Sequence, residues 1–413
     1  MVAGAGWILV SLLGALPFVM SGEIPSYIDA FFESVAGFTT TGTFALSDIE
    51  LWSRSMLFWR NFIQWLGGIG VLAFVVALMG SKNGGFGMHL LRAESPGPRM
   101  GKLAPKTRRS VHYIYIVYIS LSAICLGLLL AGGMPTYEAF CTMFGVAGTG
   151  GFGVLNDSMA SYSSYLQTVC TIFMLLFGVN FILYPLLLRK EWRSVLKDEE
   201  LRLYAAVVAG SIAVITGALL VAGLGGVGDS LHNASFMVSS VITSTGMFIG
   251  DYAHWPALAR SLLFLLMIVG AMGGSTASGL KLSRVLILFR SLKAGLHRLL
   301  HPRSVKKVHL NGKPLSDEVV GRTQMFFFLY CAFIMVASLL IAVDGQALEI
   351  NLSAVMACIN NVGPGFGLVS SVSHFGDFSV FSKFILAIMM LVGRLEIFPI
   401  LILFTPSTWR RKT

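Results

Sequence analysis

Charge is what this chain has least of. Acidic and basic residues fill 12% of its 413 positions, about half the ~25% usual in a soluble domain. A mean hydropathy of +0.77 excludes an ordinary water-facing globule. Disulfide and metal chemistry are short of material as well. The five cysteines, at 125, 141, 170, 331 and 358, are scattered through apolar segments with no CxxC or paired spacing, which suggests neither a disulfide frame nor a metal site. The first apolar run lacks the basic flank of a secretory leader. The eight histidines lie in connectors or near the ends of apolar runs, so a catalytic or metal-ligating set at helical spacing is missing. An intramembrane enzyme, the rival class, would need one.

Long apolar runs are abundant. They fall near Phe58–Met79, Tyr113–Leu130, Tyr165–Leu188, Leu203–Leu224, Ala257–Val269 continuing to Phe289, Met325–Val343 and Phe378–Phe404. About 17 to 25 residues cross a hydrocarbon core. The run at Gly6–Met20 gives only ~22 Å of helix, so the start reads as trimmed from a longer form. The net charge of +10 is topology rather than a nucleic-acid footprint. Of 30 Lys and Arg residues, 23 fall in Lys82–Arg109, Arg189–Arg202, Arg290–Arg322 and Arg410–Lys412. Acids such as Asp29, Glu138, Asp229 and Glu349 occupy the alternate connectors. Positive connectors stay inside, which puts the C-terminus in the cytoplasm. Within Arg189–Arg202 the mixed charges read as a solvated run. In the third connector, Asn311-Gly312 reads as a turn within a cytoplasmic hairpin or docking loop.

A fourfold repeat organises the rest. AFFESVAGFTTTGTF (Ala30–Phe44), EAFCTMFGVAGTGGF (Glu138–Phe152), ASFMVSSVITSTGMF (Ala234–Phe248) and NLSAVMACINNVGPGF (Asn351–Phe366) align on Gly42, Gly150, Gly246 and Gly363. Phe32, Phe140 and Phe236 then fall ten residues before the glycine. The quarters run approximately 1–105, 106–202, 203–320 and 321–413. Each reads as a membrane helix, a short helix ending at the glycine, and a returning membrane helix. The short helix covers about half a bilayer, so the loop after it must line a protein-walled cavity. The fold expected is an all-α polytopic membrane protein, four such repeats surrounding one central pore.

The loop residues suit a cation that must shed its water, because rings of backbone carbonyls can replace a hydration shell. The candidates are Thr40, Thr41 and Gly42; Gly148, Thr149, Gly150 and Gly151; Ser244, Thr245 and Gly246; and Asn361, Val362 and Gly363. Between Gly150 and Gly151 the alignment favours Gly150 as the second filter glycine. Carboxylates are missing from these segments, which argues against a divalent site. The short helices also point their partially negative C-terminal ends at the centre, favouring a cation.

ESVAGFTTTGTF, FGVAGTGGFGVLNDS, SVITSTGMF, ACINNVGPGFG, GGSTASGLK and GRLEIFPILILFTPSTW resemble the Trk/Ktr/HKT superfamily of potassium transporters, and within it the bacterial TrkH type. The resemblance spans nearly all of the chain. It implies potassium as the transported ion, one filter glycine per loop and residence in a bacterial inner membrane. It also implies a homodimer working with a cytosolic ring of nucleotide-binding regulatory subunits. In plant relatives a serine at the first filter glycine accompanies sodium preference, and Gly42 resembles the potassium-permeable kind. A sodium-permeable transporter of the same fold is the nearer alternative. Two departures stand out: the two helices that usually precede the first repeat have no room here, and Asn360-Asn361-Val362 replaces hydroxyls in the fourth loop.

Below the loops, GAMGGSTASG (Gly270–Gly279) interrupts the returning helix of the third quarter. Small residues also serve close helix packing, but ten in a row, with Met272 the one bulky member, read as a break. A P-loop would need lysine directly after Gly279, and Lys281 comes one late. Arg394 sits in a largely apolar helix, where a charge needs a partner, and Glu396 two residues on cannot face it. Gly273, Gly274, Ser275, Thr276, Ser278, Gly279 and Arg394 are therefore the candidate gate, with the resemblance placing the arginine beside the interrupted helix.

Overall fold

The computed structural model describes residues 2–44, 48–70, 107–303, 307–363, 365, 375–403 and 405. Hydrocarbon offers backbone N–H and C=O groups no water, so helices must satisfy them internally. Sixteen α-helices, short 3-10 turns and one two-stranded hairpin make up the regular structure of the described residues.

Four times the chain runs through an outer helix, a short helix and a return helix. The first set is α1 (Val2–Met20), α2 (Tyr27–Phe38) and α3 (Arg54–Ile69). The second is α4 (Thr107–Ala131), α5 (Thr136–Gly148) and α6 (Ser164–Phe177), followed by the small helices α7 (Leu183–Leu188) and α8 (Trp192–Leu196). The third is α9 (Glu199–Val221), α10 (Val227–Ile242) and α11 (Ala257–Val269), continued by α12 (Leu282–Leu300). A hairpin, β1 (His309–Leu310) and β2 (Lys313–Pro314), leads to the fourth set. That set is α13 (Asp317–Ile341), α14 (Leu348–Ile359) and α15 (Val380–Arg394), ending in α16 (Phe398–Leu403).

Stretches within α4, within α9 and from α13 to Asp344 are long and apolar enough to cross a membrane. They turn apolar side chains such as Ile119, Val214 and Phe328 outward, as a lipid-facing shell requires. The short helices span 12, 13, 16 and 12 residues, or ~18–24 Å of a ~30 Å core. Each carries its acid, Asp29, Glu138, Asp229 or Glu349, in the first turn, where the helix dipole is positive. Each return helix packs on the short helix of the next set: α3 on α5, α6 on α10, α11 on α14, and α15 back on α2. The four sets thereby close around one axis.

Three expectations need revision. The apolar runs Tyr165–Leu188 and Phe378–Phe404 are each two helices. Residues 178–182 break the first, where Asn180 Oδ1 turns back to accept the Ile182 N–H at 3.0 Å. Glu396 and Ile397 break the second, with φ of 57° and 66°, a conformation no continuing right-handed helix permits. Arg189–Arg202 is not a merely solvated run, because Glu200 is fully buried. Asn311-Gly312 does turn the hairpin, with φ of 51° and 69°, the pair of positive values a tight hairpin turn demands. Residues 71–79 of the first long run, 82–106 of the first basic connector and the basic tail 410–412 lie outside the described residues.

Candidate functional site

Four turns of one construction meet where the short helices end. Thr40, Thr149, Ser244 and Asn361 have φ of 55°, 54°, 55° and 52°, a left-handed conformation uncommon for residues other than glycine. Two residues on, Gly42, Gly151, Gly246 and Gly363 have φ of 79°, 72°, 78° and 93°, where a side chain is strained. The hydrogen bonds repeat as well. Gly42 N–H reaches Ala36 O, Gly151 N–H reaches Gly145 O and Gly246 N–H reaches Ser240 O.

This corrects the register of the second loop, whose equivalent glycine is Gly151 and not Gly150. The aromatic alignment misled. Phe32 and Phe236 are fully buried, whereas Phe140 is 37% exposed and Cys141, one residue later, is 0% exposed. The second loop therefore holds its inward residue one place further on than the phenylalanine suggested.

The thirteen candidate loop residues all converge here, and the glycines show why side chains are excluded. A Cβ on Gly42 would lie 1.8 Å from Gly150 O, one on Gly151 1.9 Å from Thr245 O, and one on Gly363 2.7 Å from Thr41 O. Each of these three glycines thus faces the carbonyl just before the glycine of a neighbouring loop. In the first and third loops hydroxyl pairs brace the turn: Thr39 to Thr41 at 2.7 Å and Thr243 to Thr245 at 2.8 Å. In the fourth, Asn361 Nδ2 donates to Thr41 Oγ1 at 2.8 Å and Met390 O at 3.0 Å. The second lacks a hydroxyl pair; Thr149 Oγ1 donates back to Gly148 O at 2.6 Å. Thr40 Oγ1 and Asn361 Oδ1 are buried oxygens without a partner among the described residues.

Two side chains of α3 also belong to the site and escaped sequence reasoning. Arg60 is 1% exposed, pairs with Glu33 at 2.5 Å and lies 3.4 Å over the Phe152 ring. Gln64, one turn further and 0% exposed, donates from Nε2 to Gly150 O at 2.8 Å and accepts from the Phe152 N–H at 3.0 Å. Polar residues four apart on an apolar helix share a face, and that spacing was the available signal.

Residues 270–281 pass directly beneath the ring, where Ser278 N–H donates to Ser244 Oγ at 2.9 Å. Arg394 binds this segment through Thr276 O at 2.8 Å and Ser278 Oγ at 3.2 Å. Its other nitrogen reaches Gly67 O at 2.6 Å and Gly68 O at 3.1 Å on α3. The Glu396 carboxylate, two residues on, pairs with Arg284 and lies 3.8 Å from Lys281. Gly274, Ser275, Thr276, Ser278, Gly279 and Arg394 line one cavity of about 100 Å³. Gly273 lies at the segment's far side, donating its N–H to Glu200 Oε1 at 2.7 Å. The same oxygen accepts the Ser283 N–H at 3.1 Å, so one buried carboxylate holds both ends of the interruption.

A helical shell enclosing four re-entrant loops about one axis defines a membrane transport protein of the pore-loop class. The chain belongs to the TrkH family of cation transport proteins, whose model it matches over residues 1–411. It is 34% identical over 408 residues to the Trk system potassium uptake protein TrkG of Escherichia coli, covering 98% of this chain and 84% of that protein. The Salmonella typhimurium Trk system potassium uptake protein TrkH is 34% identical over 413 residues, with the same coverages. Among solved structures, the crystal structure of the potassium transporter TrkH from Vibrio parahaemolyticus superposes with a TM-score of 0.86 at 30% identity, covering 98% of this chain and 84% of that one. The family is one of transporters, not enzymes.

Proposed function

We propose that this chain carries potassium ions into a bacterial cell through the pore enclosed by its four loops. The observation that carries the reading is the fourfold ring of left-handed residue, intervening residue and glycine at the C-terminal ends of four short helices. Those ends favour a cation, and backbone carbonyls with the Thr40 hydroxyl, unpartnered among the described residues, offer oxygens in place of water. The filter comprises Thr40–Gly42, Gly148–Gly151, Ser244–Gly246 and Asn361–Gly363, and the four quarters end at about residues 105, 202, 320 and 413. The names of the relatives, potassium uptake proteins, support the choice of ion.

Gly273–Gly279 and Arg394 act as the gate. The arginine's charge repels a cation from the path, and its hydrogen bonds to Thr276 and Ser278 hold the segment across it. The working assembly is a homodimer in the inner membrane, its C-terminus cytoplasmic, controlled by a cytosolic ring of nucleotide-binding subunits.

Reconstitution into vesicles tests the function. Uptake of potassium at least tenfold faster than sodium is expected, a preference worth ~1.4 kcal/mol. Equal fluxes would replace the reading with a non-selective cation pathway.

A further inference from the structure

Loops one and three carry threonine just before the glycine, Thr41 and Thr245, and loop two carries Gly150. The threonines brace their turns through Thr39 and Thr243. In the second loop the place of such a side chain is taken by another residue. A Cβ on Gly150 would lie 2.5 Å from Gln64 Nε2 and 2.6 Å from Gln64 Cδ. The amide of Gln64 occupies that space and spans Gly151, bonding the Gly150 carbonyl on one side and the Phe152 N–H on the other. One amide orientation satisfies both contacts, because the carbonyl needs a donor and the N–H an acceptor.

We infer that Gln64 is a specificity-determining positioning residue: it substitutes, from the neighbouring helix, for the threonine missing from the second loop. Its position between two loops sharpens the point, since the Gly150 carbonyl it holds is also the one that faces Gly42. Fixing that oxygen fixes the spacing of loops one and two, and ion discrimination in a carbonyl-lined filter depends on the placement and field of such oxygens. Gly150 is then glycine because Gln64 fills its side-chain space, and Gly151 is glycine because its φ is 72°.

The inference rests on the filter reading above, and the experiment separates the two. Gln64→Met keeps length and apolar packing while removing both hydrogen bonds. Reconstituted, it is expected to insert and conduct, with a potassium-over-sodium flux ratio about tenfold below the parent, equivalent to ~1.4 kcal/mol. A merely structural glutamine would lower the yield of active protein and leave that ratio alone; an unchanged ratio overturns the inference. Gln64→Ala and Gly150→Ala supply a second route. Gly150→Ala displaces the amide, so its effect on the ratio is expected to shrink in the Gln64→Ala background. Independent effects that simply multiply, as for uncoupled sites, would overturn the pairing. If Gly151→Ala also leaves the ratio at the parent value, the filter reading itself fails. A shift there with none in Gln64→Met removes Gln64 alone.

Discussion

At the scale of single residues, neighbouring glycines in this ring answer to different constraints. Gly42 combines φ of 79° with a Cβ position 1.8 Å from the Gly150 carbonyl oxygen, so both its own backbone and the next loop reject a side chain. Gly42→Ser is expected to displace that carbonyl and lower the potassium-over-sodium flux ratio about tenfold, ~1.4 kcal/mol. Gly42→Ala is expected to do nearly the same, since the Cβ rather than the hydroxyl meets the carbonyl. Flux ratios in vesicles decide it, and parental values for both variants would take Gly42 out of the filter. The sequence made Gly42, Gly246 and Gly363 legible because the repeats align on them without a gap. It hid Gly151, because Phe140, at a partly exposed position, imitated the fully buried Phe32 and Phe236 of the first and third copies. Arg60 and Gln64 stayed hidden because their partners, Glu33 and the second loop, are distant in the chain.

Among the elements, the interruptions are the instructive part. Ten mostly small residues announced the break after α11, whereas those after α6 and α15 sit in apolar sequence and are imposed by neighbours. Phe181 N–H, for instance, bonds Gly274 O at 3.0 Å, so one break supports another. Arg394→Ala is expected to raise basal potassium flux without a partner protein. A unit charge ~10 Å from the ion at an effective dielectric constant of about 20 contributes ~1.7 kcal/mol, on the order of tenfold in rate. Glu200→Ala leaves the Gly273 and Ser283 N–H groups without their shared acceptor, at a cost of roughly 1–3 kcal/mol for each buried donor. It should loosen the same segment and raise flux in the same assay. Loss of flux in protein that still folds and inserts would make the segment a support of the pore rather than its gate.

Over the whole molecule, the repeat count carried most of the architecture. The order of packing did not show, because no local pattern tells which return helix meets which short helix. Orientation can be measured directly. A cysteine at Glu50, in the connector before α3, is expected to react with an impermeant thiol reagent added outside whole cells. One at Lys313, on the hairpin, should react only after permeabilisation. The opposite pattern would turn the pore over in the membrane.

The return of α15 to α2 has a temporal meaning. Lys383 pairs with Asp29 at 2.7 Å, 354 residues apart, and Asn361 reaches Thr41 across 320. Synthesis delivers the earlier partner of each pair first and the later one only near the end. Until then three quarters of the barrier stand open on one side, with loop-closure entropy still opposing the longest contacts. A ribosome that stops before the last return helix therefore leaves no working fraction of a pore, only an unsealed wall for the cell's quality control to find.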